Sequence, residues 1–234
     1  MSYDGGKGGA GVYQQIINLM PPHHRYVELF LGAGSVLKAK RPAEHSIGVE
    51  LDPDVLARWR GDEVPNLSLL KADALEFLFT RDFQPLDLIY ADPPYVLSSR
   101  RRQRRLYRHE FSDAQHRELL GQLDQARCMV MISGYACPLY DKFFARSNEH
   151  RSVPKWRRHC FTTTTRGGGL ATECVWLNFP EPLELHDYSY LGRDFRERER
   201  IKRKTLRWRR RLVGLPDQER HAILAAIAEL KANP

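Results

Sequence analysis

Short apolar runs alternate with helix-forming segments over the first 133 residues, and this alternation restricts the possible folds more than any other feature. The runs are candidate β-strands at Tyr26–Leu31, Ser46–Leu51, Leu67–Leu70, Asp87–Ala91 and Cys128–Ser133. The segments between them carry helix signals, such as Pro53 at a first helical turn and Asp73 as the cap of Ala74–Phe79. Ser112 and Gln115 have the spacing of a capping box. This pattern predicts an α/β fold with a doubly wound, mostly parallel, Rossmann-like sheet.

The sheet should end in a β-hairpin. Two further strand-like segments, Thr162–Thr165 and Glu173–Phe179, are joined through Gly167, Gly168 and Gly169. A glycine-rich connection between two such runs is typical of a hairpin. We therefore expect one Rossmann-like domain over residues 1–190.

The composition changes after Tyr190. Arg193–Leu212 predicts a basic helix, and Pro216–Leu230 predicts a second helix with one apolar face. Between Arg193 and Arg211 there are nine Arg and two Lys against three acidic residues, so this stretch carries the whole net charge of +8. We expect residues 191–234 to form a basic helical extension that binds DNA.

Positive charge is also concentrated in the middle of the chain, at Arg100, Arg101, Arg102, Arg104, Arg105 and Arg108. Two basic blocks attract a polyanion and can release its counterions. The candidate nucleic-acid contacts are Arg100, Arg101, Arg102, Arg104 and Arg105 from this cluster, with Arg203 and Arg207 from the tail. A solvated basic surface is the alternative interpretation.

A glycine turn follows the first candidate strand. In Glu28–Ser35, Gly32 and Gly34 let the backbone approach a ligand closely, and the next helix offers its N-terminus. Glu50 ends the second strand, sixteen residues after Gly34, where a carboxylate can accept both hydroxyls of a ribose. The third glycine of the dinucleotide fingerprint is replaced by Leu37, which argues against NAD.

Asp92-Pro93-Pro94-Tyr95 ends the fourth strand, at the carboxyl edge of the sheet where α/β proteins bind ligands. The Asp92 carboxylate and the Pro93 carbonyl can accept the two protons of an exocyclic amine, and Pro94 restricts the backbone. The Tyr95 ring can stack on a base rotated out of a duplex. The tetrapeptide therefore predicts methyl transfer to a base amino group, governed mainly by positioning.

In these motifs the chain resembles the Dam-like N6-adenine-specific DNA methyltransferases, phage-type members included, from Tyr3 to about Phe179. The segment from Tyr3 to Lys7 is similar to the family's N-terminal aromatic-G-G-K motif, and Asp92–Tyr95 matches its catalytic motif unchanged. The resemblance implies S-adenosyl-L-methionine as cofactor. The residues implied to bind it are Tyr3, Lys7, Phe30, Gly32, Gly34, Ser35, Glu50, Asp73 and Asp92. Asp92, Pro93, Pro94 and Tyr95 are implied to be catalytic.

The chain departs from larger members of that family, which carry a target-recognition domain before the catalytic motif. Only eighteen residues separate Asp73 from Asp92, so that domain is missing here and we expect short or relaxed sequence specificity. The alternatives are an RNA methyltransferase acting on adenine or guanine amino groups, a glutamine methyltransferase, and a nucleic-acid-binding module without activity. Asp92 argues against the glutamine enzymes, whose motif begins with Asn, and the intact Glu50 and Asp92 argue against an inactive module.

The remaining predictions concern cysteines and location. Cys128, Cys137, Cys160 and Cys174 form no C-x-x-C pair, so we expect reduced, buried thiols and no metal site. The N-terminus lacks the apolar segment of a signal peptide, which predicts a cytoplasmic protein of a bacterial or phage-infected cell. The role could be restriction–modification, phage evasion or regulation.

Overall fold

The computed structural model describes residues 11–59, 64–99, 108–164 and 170–232. The strands are β1 (Arg25–Leu29), β2 (His45–Glu50), β3 (Leu67–Lys71), β4 (Asp87–Ala91), β5 (Met129–Gly134), β6 (Arg157–Thr164) and β7 (Leu170–Leu177). The helices are α1 (Val12–Ile17), α2 (Ser35–Ala39), α3 (Pro53–Ala57), α4 (Ala74–Phe79), α5 (Asp113–Gln125), α6 (Pro138–Asn148), α7 (Phe195–Val213) and α8 (Asp217–Ala232).

The seven strands form one sheet in the order β3-β2-β1-β4-β5-β7-β6. The first five are mutually parallel, and β7 pairs antiparallel with both β5 and β6. The order reverses between β1 and β4, which creates the switch point where ligands bind in such sheets. The predicted α/β, doubly wound sheet with a terminal hairpin is confirmed, as is the helical C-terminal segment.

Both faces of the central strands are buried, as a parallel sheet requires. Ile89 and Ala91 of β4 belong to a core cluster that also contains residues of α4, α5 and α6. Leu88 and Tyr90, which point to the opposite face, are also fully buried. The sheet edge that carries the strand ends is thereby held rigidly.

Local signals set the helix boundaries. The Asp52 carboxylate caps α3, which has Pro53 at its first turn, and Ser112 and Gln115 form the predicted capping box of α5. Helices α1 and α6 were not predicted. In α6, Pro138 occupies the first turn, and the buried Tyr140 and Phe144 pack into the core.

The prediction for the cysteines is wrong for one pair. Cys160 and Cys174 are register partners on β6 and β7, with a Cα–Cα distance of 4.2 Å, and they form a disulfide. Only Cys128 and Cys137 are free and buried among the cysteines. Their spacing in the sequence did not reveal the pair, because the strand register that places two cysteines opposite each other is set by the hairpin.

The chain separates into two compact units, residues 1–188 and 189–234. The second unit contains α7 and α8. Asp194 caps α7 by accepting a hydrogen bond from the Glu197 amide, and Glu197 forms ion pairs with Arg193 and Arg200. Within the described ranges, no helix has the length and apolar character needed to cross a membrane.

Candidate active site

The motifs that the sequence predicts to be functional lie at the carboxyl edge of the sheet, because each stands at the end of a parallel strand or directly after it. The glycine turn follows β1, Glu50 ends β2, and Asp92 follows β4. Gly32 and Gly34 have φ angles of +51° and +59°, and Phe30 has +58°. A bulky residue with a left-handed φ costs on the order of 1–3 kcal/mol and persists only where its surroundings impose it. The left-handed conformation of Phe30 is therefore imposed by the surroundings of this turn.

Trp59, which follows α3, supports the glycine turn from behind. Its indole N–H donates a hydrogen bond to the Gly32 carbonyl oxygen at 3.0 Å. A Cβ atom built on Gly34 would lie 2.1 Å from the Trp59 ring. The ammonium group of Lys38, a residue of α2, lies 3.9 Å from the centre of the Trp59 ring. Gly34 is consequently required for its lack of a side chain as well as for its φ angle.

Glu50, the last residue of β2, connects the end of this strand to the glycine turn. One carboxylate oxygen accepts a hydrogen bond from the Gly32 amide at 2.9 Å, and the other accepts one from the Asp52 amide, also at 2.9 Å. Each carboxylate oxygen can accept more than one hydrogen bond. Glu50 can therefore hold the turn and still accept a ligand's hydroxyl groups.

These residues share a single cleft with about 1030 Å³ of empty space, its open side included. The cleft is lined by every described residue that the sequence predicted for cofactor binding: Phe30, Gly32, Gly34, Ser35, Glu50, Asp73 and Asp92. The motifs, which are distant from one another in the sequence, thus converge on one cleft.

Asp73 has two roles that the sequence alone could not separate. One carboxylate oxygen caps α4, accepting hydrogen bonds from the amides of Leu75 at 2.8 Å and Glu76 at 3.3 Å. Asp73 also lines the cleft, next to Ala72 and Ala74. A cap of this kind fixes the carboxylate at the cleft wall.

Asp92, Pro93 and Pro94 line the same cleft, at the end of the fully buried strand β4. A second carboxyl group, that of Glu28, lies nearby and accepts a hydrogen bond from the Tyr26 hydroxyl at 2.8 Å. Burial raises the pKa of Glu28 to about 8, with a further contribution from the negative charge of Asp92. Glu28 is therefore largely protonated at pH 7, and it adds no full negative charge beside Asp92.

Tyr95 is not among the residues that line the cleft, and it contacts one residue of β7 and one residue that follows β5. Its hydroxyl group lies 2.9 and 3.0 Å from the two carboxylate oxygens of Glu173 on β7. Its ring centre is 4.3 Å from that of Tyr135, which follows β5, with an angle of 45° between the planes. The sequence predicted Tyr95 as a site residue but not Glu173 or Tyr135. The register of β5 and β7, which the sequence did not reveal, places these two residues at the same part of the sheet.

Residues 108–111 also line the cleft. Arg108 donates to Asp54 at 2.6 Å and to Asp52 at 3.3 Å, so this member of the central arginine cluster is paired with acids. Partial desolvation of Asp52 is outweighed by the Asp54 amide and by Arg108, which together hold the pKa of Asp52 below its usual range. Phe111 packs edge-on against Phe30, with ring centres 5.2 Å apart.

The other predicted site residues are distributed as follows. Arg203 and Arg207 are exposed on α7. Tyr3, Lys7, Arg100, Arg101, Arg102, Arg104 and Arg105 lie outside the described residues. The structure thus brings together the predicted cofactor and catalytic residues that it describes.

Comparisons with known protein families and with curated proteins find no match for this chain. Among solved structures, the chain is similar to precorrin-6y C5,15-methyltransferase from Geobacter metallireducens, at 13% identity and a TM-score of 0.46, over 72% of this chain and 87% of that one. It is also similar to spermidine synthase from Thermotoga maritima, at 14% identity and a TM-score of 0.45, over 73% of this chain and 60% of that one. Its similarity to a candidate RNA methyltransferase from Pyrococcus horikoshii has 16% identity and a TM-score of 0.44, over 70% of this chain and 77% of that one. At these identities the similarity concerns the fold alone.

Proposed function

We propose that this protein transfers a methyl group from S-adenosyl-L-methionine to the N6 amino group of adenine in DNA. The observation that carries the proposal is that Asp92, Pro93 and Pro94 line the same cleft as the glycine turn and Glu50. A methyl donor in that cleft would lie beside the groups that can hold an acceptor amine. The resemblance to Dam-like enzymes supports the same assignment.

The cleft suits this cofactor in charge and in shape. S-adenosyl-L-methionine supplies an electrophilic methyl group on a positively charged sulfur, and acidic groups line the site at Glu50, Asp73 and Asp92. The glycine turn places backbone without side chains against the cleft, so a ligand can approach closely. Glu50 would accept the ribose hydroxyls, and Asp73 would contact the adenine end.

Asp92 and the Pro93 carbonyl would orient the acceptor amine. The nitrogen lone pair of adenine N6 is delocalised into the ring, so the free amine is a poor nucleophile. Two acceptors that hold its protons favour a tetrahedral nitrogen with the lone pair directed outward. Pro94 removes one backbone N–H and restricts the conformation of Pro93, which keeps the carbonyl in place. Catalysis then depends on alignment and electrostatics rather than on a covalent intermediate.

The basic segments would bind the phosphate backbone. On α7, Arg196, Arg200, Arg203, Arg207 and Arg210 recur at intervals of three or four residues and therefore lie along one helix face. Contacts to phosphate add affinity without reading sequence. With no recognition domain between Asp73 and Asp92, the target sequence should be about four base pairs or fewer.

The test is to methylate a plasmid and a structured RNA in parallel and to map modified adenines by long-read sequencing. The proposal expects N6-methyladenine in the duplex DNA, at a short or weakly defined sequence. Methylation of the RNA with unmodified DNA would favour the alternative, an RNA amino-group methyltransferase. A strict six-base consensus would contradict the expected short site.

A further inference from the structure

Three neighbouring strands bring one acidic and two aromatic residues to the same point of the sheet edge. Tyr95 follows β4, Tyr135 follows β5, and Glu173 lies on β7 next to Cys174, the register partner of Gly134. The Tyr95 hydroxyl donates into the Glu173 carboxylate, and Tyr135 packs against the Tyr95 ring. The cluster joins the catalytic motif to the antiparallel part of the sheet.

Glu173 is unusual because it is a buried acid that is followed on its strand by residues of the core. It is 3% exposed, and Cys174 and Val175 after it are fully buried. A buried carboxyl group is costly unless it is hydrogen-bonded. The hydrogen bond from Tyr95 contributes to meeting this need of Glu173, and it also restrains the far end of the tyrosine ring.

We infer that Glu173 is a positioning residue for the methyl transfer proposed above, and the inference rests on that function. By holding the Tyr95 hydroxyl, Glu173 fixes the plane of the ring on which the acceptor base stacks. Tyr135 supports the ring from one side. The base amine is then presented to Asp92 in one orientation, and neither Glu173 nor Tyr135 needs to touch it.

The test compares kinetic constants of variants that break the same bond from opposite ends. Glu173→Ala and Tyr95→Phe should each lower kcat by about 10- to 100-fold, the range expected when a reacting group is displaced by up to about 1 Å. Because both substitutions remove the same hydrogen bond between Tyr95 and Glu173, the double variant should be about as slow as either single variant. Glu173→Gln keeps an acceptor oxygen and should restore most of the rate. Thr172→Ala, at an exposed position on the same strand, is the matched control.

Binding and ring motion separate positioning from structural damage. The affinity for S-adenosyl-L-methionine should be unchanged in all these variants, because the cluster lies outside the cofactor cleft. In ligand-free protein, relaxation of ¹³C-labelled tyrosine rings should show larger motion for Tyr95 in Glu173→Ala and wild-type motion in Thr172→Ala. Tyr95→Phe identifies the signal, and it also tests the inference if Glu173→Ala does not fold.

The possible outcomes distinguish this inference from the function on which it rests. If the wild-type protein methylates neither DNA nor RNA, the proposed function is wrong and the inference fails with it. If the wild-type protein is active and Tyr95→Phe retains its full kcat, the inference alone is overturned. Additive losses in the double variant would also overturn it, since the two residues would then act independently.

Discussion

The indole ring of Trp59 occupies the space that a side chain on Gly34 would need, since a Cβ there would lie 2.1 Å from a ring carbon. The same indole donates its N–H to the Gly32 carbonyl oxygen at 3.0 Å. One buried side chain therefore contacts two glycines of the turn, and these glycines line the cleft.

Gly34→Ala should damage both stability and cofactor binding. The new methyl group would clash with Trp59, and alanine is strained at a φ of +59°. We expect the free energy of unfolding to fall by about 1–3 kcal/mol, the usual cost of overpacking or backbone strain. Urea unfolding and calorimetric titration with S-adenosyl-L-methionine measure the two effects. Gly121→Ala is the control, because nothing lies within 4 Å of its added Cβ, and it should be neutral or stabilising by about 0.5–1 kcal/mol.

Glu50→Ala should weaken S-adenosyl-L-methionine binding by about 1.5–3 kcal/mol, the scale of hydrogen bonds to a charged group. The loss should appear in titrations without nucleic acid, because Glu50 faces the cofactor cleft. Asp52→Ala, which removes a neighbouring acid that caps α3, is the comparison. Unchanged affinity in Glu50→Ala, together with a loss in Asp52→Ala, would assign the ribose contact to Asp52.

His23 should make the protein less stable in acid. Its ring stacks on that of His186 with centres 3.8 Å apart, and Nδ1 lies 2.8 Å from the Pro21 carbonyl oxygen. Burial, with contributions from Lys40 and His186, lowers the pKa of His23 to about 3 from 6.5. Between those values the unfolded chain binds a proton that the folded chain does not. The free energy of unfolding should therefore decrease as the pH is lowered through this range, by up to about 1.4 kcal/mol per pH unit.

This contribution is isolated by comparing urea midpoints of the wild type and His23→Phe from pH 7 to pH 4.5. The difference is needed because Glu28, with its raised pKa, contributes with the opposite sign between pH 4.5 and about 8. The acid-induced loss should be smaller in His23→Phe, whereas His24→Phe, at an exposed neighbouring position, should behave like the wild type. Parallel pH profiles for wild type and His23→Phe would contradict the prediction.

Charge reversal on α7 should weaken nucleic-acid binding equally on every sequence. We plot the logarithm of the binding constant for duplex DNA against the logarithm of the salt concentration, which gives a negative slope. In the variant that combines Arg203→Glu, Arg207→Glu and Arg210→Glu, the slope should become less steep by roughly 0.9 for each lost phosphate contact. The control reverses three exposed charges on α5 and α6, at Arg117, Lys142 and Arg146. A salt slope equal to that of the wild type, measured by fluorescence anisotropy, would exclude α7 as the phosphate-binding element.

The sequence was sufficient to predict features that depend on local patterns. Apolar runs placed β1 to β5 within a residue or two, and the motifs at strand ends predicted Gly34, Glu50 and Asp92, which line one cleft. Features that depend on contacts between distant residues could not be predicted in this way. The disulfide partners, the bond from Tyr95 to Glu173 and the support of Gly34 by Trp59 all require strand register or packing, which no local pattern encodes.

The central claim is that Asp92 holds the acceptor amine of adenine, and nucleoside mass spectrometry of treated DNA tests it most directly. Plasmid DNA is incubated with S-adenosyl-L-methionine and either the wild-type protein or Asp92→Ala. The DNA is then digested to nucleosides and assayed for N6-methyldeoxyadenosine. The wild type should produce it. Asp92→Ala should reduce the yield by at least about 100-fold while remaining folded, the scale expected when one transition-state acceptor is lost. Near-wild-type product from Asp92→Ala would contradict the account.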